Sequence, residues 1–130
     1  PTFLAAKEVA HDGLSEMHMV DNMHERKAKM HELSDAFVAL PGGYGTFEEL
    51  FEMITWAQLG LHKKPIAVLN VIGYYDALVL QMDKMVEFGF LKQDARDMVL
   101  VATSVGELME KISSFHAKKG EKWISDVEQT

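Results

Sequence analysis

At 130 residues, 48% of them apolar and 25% charged, the chain is one globular domain's worth of sequence or part of a larger domain, which excludes disorder for most of its length. It has no cysteine, so disulfide scaffolds, thiolate metal sites and cysteine nucleophiles are excluded, and no apolar run approaches the ~20 residues of a membrane helix. A net charge of −7 with neutral histidines argues against binding a nucleic-acid backbone but leaves room for a small phosphorylated ligand at one local site.

In chain order, residues 1–15 resolve no firm element beyond a helical turn at Ala5–Ala10. No signal or transit peptide opens the chain, so a cytoplasmic address is expected. Glu16 to Val20 reads as a short strand. Asp21 or Asn22 offers an N-cap for a helix from Met23 to Leu33. The run 35–40 ends at Pro41-Gly42-Gly43, the pattern of a buried strand stopped by a tight turn. A strong helix is predicted over 47–61, with Thr46 as its cap. Pro65 to Asn70 is the next buried strand. The helix predicted over 74–88 places Tyr75, Leu78, Val79, Met82, Met85 and Val86 on one face. A strand at 98–102 precedes Ser104-Val105-Gly106-Glu107, a capping-box pattern that starts a helix to about Phe115. This alternation of continuous apolar strands and helices predicts an α/β fold, with about four parallel strands covered on both faces. Residues 1–116 are read as domain and the polar stretch 117–130 as a loosely held tail.

The sharpest feature is Leu40-Pro41-Gly42-Gly43-Tyr44-Gly45-Thr46-Phe47-Glu48-Glu49. A strand ends, three glycines fall within four residues, and a helix begins. Such a junction aims free backbone N–H groups and the positive end of a helix dipole at one point, a geometry suited to phosphate. Glycine permits close approach and positive φ. A plain glycine-rich turn between strand and helix is the alternative, and neither a P-loop nor a dinucleotide fingerprint is present. Glu48 and Glu49 read first as acidic residues favoured in the opening turn of a helix, and Glu49 also as the far member of a capping box on Thr46. A carboxylate one sugar's length from a phosphate would in addition stabilise the cationic state of glycosidic bond cleavage.

On the first helix, Met23, Arg26, Met30 and Leu33 share one stripe. An arginine in an apolar stripe meets an anion or snorkels to the surface. The helix 47–61 is apolar nearly all round: Phe47, Leu50, Phe51, Ile54, Gln58 and Leu61 form one face, and Met53, Trp56, Ala57 and Gly60 another. The second face is expected to meet another subunit, burying Met53 or Trp56. His24 and His31 share no metal-ligand motif with a carboxylate, so no metal site is expected.

Arg26-Lys27, the run Leu40 to Glu49 and Ile54-Thr55-Trp56-Ala57-Gln58-Leu59-Gly60 closely resemble the LONELY GUY family, cytokinin riboside 5′-monophosphate phosphoribohydrolases long described as possible lysine decarboxylases. The paired motifs Met-x-x-Arg-Lys and Pro-Gly-Gly-x-Gly-Thr-x-x-Glu are both complete, and the likeness extends through Lys63-Lys64-Pro65 and Asn70 to Tyr75. The resemblance implies a Rossmann-like parallel sheet flanked by helices and hydrolysis of a nucleoside 5′-monophosphate, a cytokinin riboside monophosphate or AMP, to free base and ribose 5-phosphate. It implies Arg26 and Glu49 as the catalytic pair and phosphate on Gly42, Gly43, Gly45 and Thr46. It implies substrate contacts from Glu8, Arg26, Lys27, Gly43, Tyr44, Gly45, Thr46, Phe47, Glu48 and Glu49. No cofactor is implied, and the family assembles as homodimers or larger oligomers. Family members begin with further strands, and Pro1 stands where a start methionine is expected. The chain is therefore expected to be the C-terminal part of a longer domain, its sheet incomplete. Two other functions stand beside this one. One is a nucleotide-binding module without catalysis. The other is a lysine decarboxylase, for which Lys27, Lys63 and Lys64 bring no accompanying pyridoxal phosphate signature.

Overall fold

The computed structural model describes residues 1–2 and 13–116. The chain forms two compact units, Pro1–Ser34 and Asp35–Thr130, and each is described by itself. The expected turn at Ala5–Ala10, Glu8 and the tail 117–130 lie outside the described residues.

In the first unit, helix α1 covers Met23–Leu33. Asn22 caps it: its Oδ1 accepts from the Glu25 N–H at 2.9 Å, and Glu25 reaches back to accept from the Asp21 N–H at 2.9 Å. The predicted strand at 16–20 is not there. A strand exists through its ladder, and among the described residues this segment's one backbone tie is Thr2 N–H to the Val20 carbonyl, with Met17 and Met19 exposed. The sheet therefore has three strands among the described residues rather than four.

The second unit holds that sheet. Strand β1 is Phe37–Ala39, β2 is Ile66–Leu69 and β3 is Val99–Ala102. They lie in the order β1-β2-β3, all parallel, with Phe37 opposite Ile66 and Ile66 opposite Val99. The parallel pairing of the runs at 35–40 and 66–70 is the one expected. All four residues of central β2 are buried, which explains its unbroken apolar run. Alternation along the strands divides the core. Ala39, Ile66, Val68 and Val99 point to one face, where they meet Leu50 and Met53 of helix α2 (Tyr44–Gln58) and Tyr75 and Met82 at helix α3 (Asp76–Glu87). Ala67, Leu69 and Ala102 point to the other, against Leu108 and Ile112. The latter belong to the last helix, Val105–Ser113. A single turn of helix, α4 (Gln93–Arg96), interrupts the polar stretch before β3. Arg96 Nε donates to Asp83 of α3 at 2.7 Å. The last helix is α5.

The face of α2 differs from the expected one. Met53 is buried in its own chain's core, and Trp56 packs against that core as well. The outward residues include Phe51 and Leu61. Phe47, Leu50, Ile54, Met53 and Ala57 share one broad inward surface, because an arc of over 100° suffices to cover a sheet. His62, just past α2, is buried and closes this corner: its Nδ1 accepts from the Lys64 N–H at 3.1 Å and its Nε2 meets the Met53 carbonyl at 2.9 Å.

At α5 the capping box is displaced by one residue. Ser104 Oγ accepts from the Glu107 N–H at 3.3 Å, but Glu107 Oε2 accepts from the N–H of Thr103, at 2.7 Å, rather than from Ser104. The Lys111 ammonium at 2.6 Å, with the Thr103 bonds, holds the Glu107 carboxyl down at about 2, well below its ordinary 4.5. A depressed carboxyl contributes stability that is complete above its unfolded value and is lost as pH falls through its folded value. Glu107→Gln should therefore lower the thermal midpoint at pH 6. The gap from the parent chain should close as pH falls from about 4.5 to about 2, as paired thermal melts across that range would record.

Candidate active site

The glycine-rich loop leaves β1 at Ala39 and enters α2, so it lies at the carboxyl end of a parallel strand, where open α/β sheets bind ligands. The helix begins earlier than expected. Gly43, extended at φ −93° and ψ −155°, is the N-cap, and Tyr44 is the first helical residue. The first helical hydrogen bond runs from Phe47 N–H to the Gly43 carbonyl at 3.2 Å. A glycine N-cap has no side chain to offer the first-turn donors. The N–H groups of Tyr44, Gly45 and Thr46 are thus the helix's opening donors, with the dipole behind them.

The three glycines differ in what they need. None has positive φ, contrary to the reading that such a loop exploits left-handed backbone. Gly42 is required for space: a Cβ there would lie 2.9 Å from the Thr46 Cβ and closer still to its hydroxyl. Thr46 is thus not the cap; its side chain folds back over Gly42. At Gly43 and Gly45 a Cβ would meet nothing within 4 Å. Glycine within the first turn of a helix costs about 1 kcal/mol against alanine. Gly43 suits the N-cap position, and at Gly45 neither a left-handed angle nor packing among the described residues calls for glycine.

With the helix starting at Tyr44, Glu48 and Glu49 are its fifth and sixth residues, and no acidic residue lies in its first turn. Both simpler readings of these carboxylates, dipole partner and capping-box member, are overturned. Glu49 follows Gly45 by four residues, so the two share a helix face about 6 Å apart along the axis. Side chains lean toward the helix N-terminus, so Glu49 leans toward the loop from one turn above it. Glu49 and Phe47 are half-buried, Glu48 is exposed, and Tyr44 is 97% exposed beside the loop.

Sequence reasoning gave no role to the segment that follows β2. Asn70 is buried: its side-chain Oδ1 accepts from the Tyr75 N–H at 2.7 Å and its Nδ2 donates to Asp76 at 2.7 Å. Its own N–H bonds the Ala102 carbonyl at 2.7 Å. Tyr75 is completely buried and donates its phenol to the Leu40 carbonyl at 2.6 Å. Burial, with Tyr74 beside it, pushes that phenol above its ordinary value, so it stays a donor. Tyr74 donates to the Gly42 carbonyl at 2.5 Å. The available signal was the placement of polar residues at the carboxyl end of β2, next to the glycine loop's strand.

Arg26 and Lys27 sit side by side on α1, in the first unit. Lys27 is the buried residue of that helix, while Arg26 is half-buried with Nη1 4.0 Å from Met23 Sδ. The predicted apolar stripe does not hold as a buried face, since Met30 and Leu33 are exposed. Among the described residues no helix is long and apolar enough to cross a membrane.

A family model described as "possible lysine decarboxylase" matches residues 1–112. The chain is 47% identical over 132 aligned residues to cytokinin riboside 5′-monophosphate phosphoribohydrolase LOG1 of Arabidopsis thaliana, covering 99% of this chain and 62% of that protein. It is 50% identical over 115 residues to the probable enzyme LOGL1 of Oryza sativa subsp. japonica, covering 88% of this chain and 52% of that one. To the rice enzyme LOG it is 49% identical, across 88% of this chain and 48% of the other. The chain thus spans about half to three-fifths of the length of these relatives. With the family model matching nearly the whole chain, through the glycine loop and the segment that braces it, the chain belongs to the possible lysine decarboxylase family.

Proposed function

We propose that the chain carries the phosphate-binding loop and the carboxylate of a phosphoribohydrolase that splits a nucleoside 5′-monophosphate into free base and ribose 5-phosphate. The observation that carries this reading is the pair Gly43 and Gly45, where a Cβ would meet no described residue within 4 Å, at a helix N-terminus capped by glycine one turn below Glu49. The relatives' names supply the substrate class. In this reading the 5′-phosphate accepts from the N–H groups of Gly43, Tyr44, Gly45 and Thr46. The ribose extends along α2 and brings its anomeric carbon toward Glu49. As the bond from that carbon to the base nitrogen breaks, positive charge spreads over the ribose ring, and the Glu49 carboxylate stabilises it. Water adds its oxygen to the anomeric carbon, and its proton ends on the departing base. Binding energy from the phosphate orients the bond that reacts. Arg26 holds the base or ribose hydroxyls, and Glu8 and Lys27 contact substrate. Assembly as a homodimer through α2 belongs to the same proposal, with the half-buried Trp56 and outward Phe51 of α2, and Leu61 just past it, in place of the buried Met53. The test is product analysis: AMP and an N6-substituted analogue should each yield free base and ribose 5-phosphate in equal amounts. Binding of AMP without either product would favour a non-catalytic module, and release of a diamine from lysine would favour a decarboxylase.

A further inference from the structure

The two tyrosines after β2 brace the glycine loop in different ways. Tyr75 holds the Leu40 carbonyl, whose peptide partner is the nitrogen of Pro41, which has no proton. Tyr74 holds the Gly42 carbonyl, whose peptide partner is the Gly43 N–H. The peptide is planar and trans, since no cis bond occurs among the described residues. Its carbonyl and N–H therefore point in opposite directions. Fixing the Gly42 oxygen on one side fixes the Gly43 N–H on the other. Tyr74 is itself held: its backbone N–H donates to the Val71 carbonyl at 3.1 Å, and its ring packs edge-on to Tyr75 at 5.1 Å between centroids. Because Tyr74 is 46% exposed, its hydroxyl adds little to stability.

We propose that Tyr74 is a positioning residue that sets the direction of the Gly43 N–H through the Gly42 carbonyl, and so tunes affinity for the substrate's 5′-phosphate. The catalytic half of this inference rests on the phosphoribohydrolase reading; the geometric half does not.

The experiment uses the full chain, its Tyr74→Phe and Tyr75→Phe variants, and AMP as probe. In the ligand-free chain, Tyr74→Phe should shift or broaden the amide resonance of Gly43 more than Tyr75→Phe does. For AMP hydrolysis, Tyr74→Phe should raise KM about 5- to 20-fold with kcat within about twofold, as expected for lost orientation of one anion contact. Its thermal midpoint should stay within about 2 °C of the parent. Tyr75→Phe, which strips a buried hydrogen bond, should lower the midpoint by about 4–8 °C. An unmoved Gly43 amide in Tyr74→Phe overturns the proposal whatever the substrate. A moved amide with unchanged KM, in a chain that hydrolyses AMP, overturns the positioning role. A moved amide in a parent chain that neither binds nor cleaves AMP refutes the nucleotide reading, and the catalytic half of the inference falls with it.

Discussion

Replacing Glu49 by Gln should lower turnover of a nucleoside 5′-monophosphate by about two to four orders of magnitude while leaving its binding nearly unchanged. Gln keeps the size and most hydrogen-bonding capacity of Glu and removes only the charge. The carboxylate sits at the sixth residue of α2, past the first turn, so removing it forfeits no cap and little dipole energy. Substrate affinity should hold, because the proposed phosphate contacts lie a full turn away at the loop. An interaction made chiefly in the transition state lowers kcat and kcat/KM together. Steady-state kinetics with AMP, alongside direct binding to the inactive variant, separates the two quantities. A Gln variant that retains full turnover would remove Glu49 from the chemistry.

The loop should fail in the opposite manner. Gly43 has an extended backbone open to residues with a side chain, and a Cβ there would meet no described residue within 4 Å. Gly43→Val should fold normally, with the loss of a tolerated N-cap costing about 0.5–1 kcal/mol. It should nonetheless block close approach of an anion to the opening N–H groups. Forfeiting two hydrogen bonds to a charged oxygen, at about 1.5–3 kcal/mol each, weakens binding by two orders of magnitude or more. Gly42→Ala offers the contrast. Its methyl collides with the Thr46 side chain, so it should cost stability first, and affinity only through displacement of the loop. Calorimetric titration with AMP and thermal melts on both variants would show the two losses apart.

Much of this was legible in the sequence for identifiable reasons. The run Ile66-Ala67-Val68-Leu69 is apolar at every position because β2 is central and covered on both faces, so no alternation was needed to recognise it. The inward side of α3 followed from the spacing of Tyr75, Leu78, Val79 and Met82. The start of α2 was misread because Thr46 is a better cap by composition than Gly43, yet its hydroxyl is engaged over Gly42. That three-residue error mattered, since it made Glu49 look like a capping residue. Glu16 to Val20 has strand-like composition, but composition does not supply a partner strand. The links from Tyr74 to Gly42 and from Tyr75 to Leu40 join positions 32 and 35 residues apart. No local pattern encodes such pairs; they exist only once β1 and β2 lie side by side.

In the proposed reaction a phosphate held at the Gly43–Thr46 turn orients a glycosidic bond for cleavage beside Glu49. The most direct measurement is kcat/KM of the full chain for AMP against that for adenosine under identical conditions. The two substrates share the scissile bond, the ribose and the base, and differ only in the group the loop is proposed to hold. AMP should be favoured by about two orders of magnitude or more, the worth of the anion contacts carried into the transition state. Equal cleavage of both would contradict it.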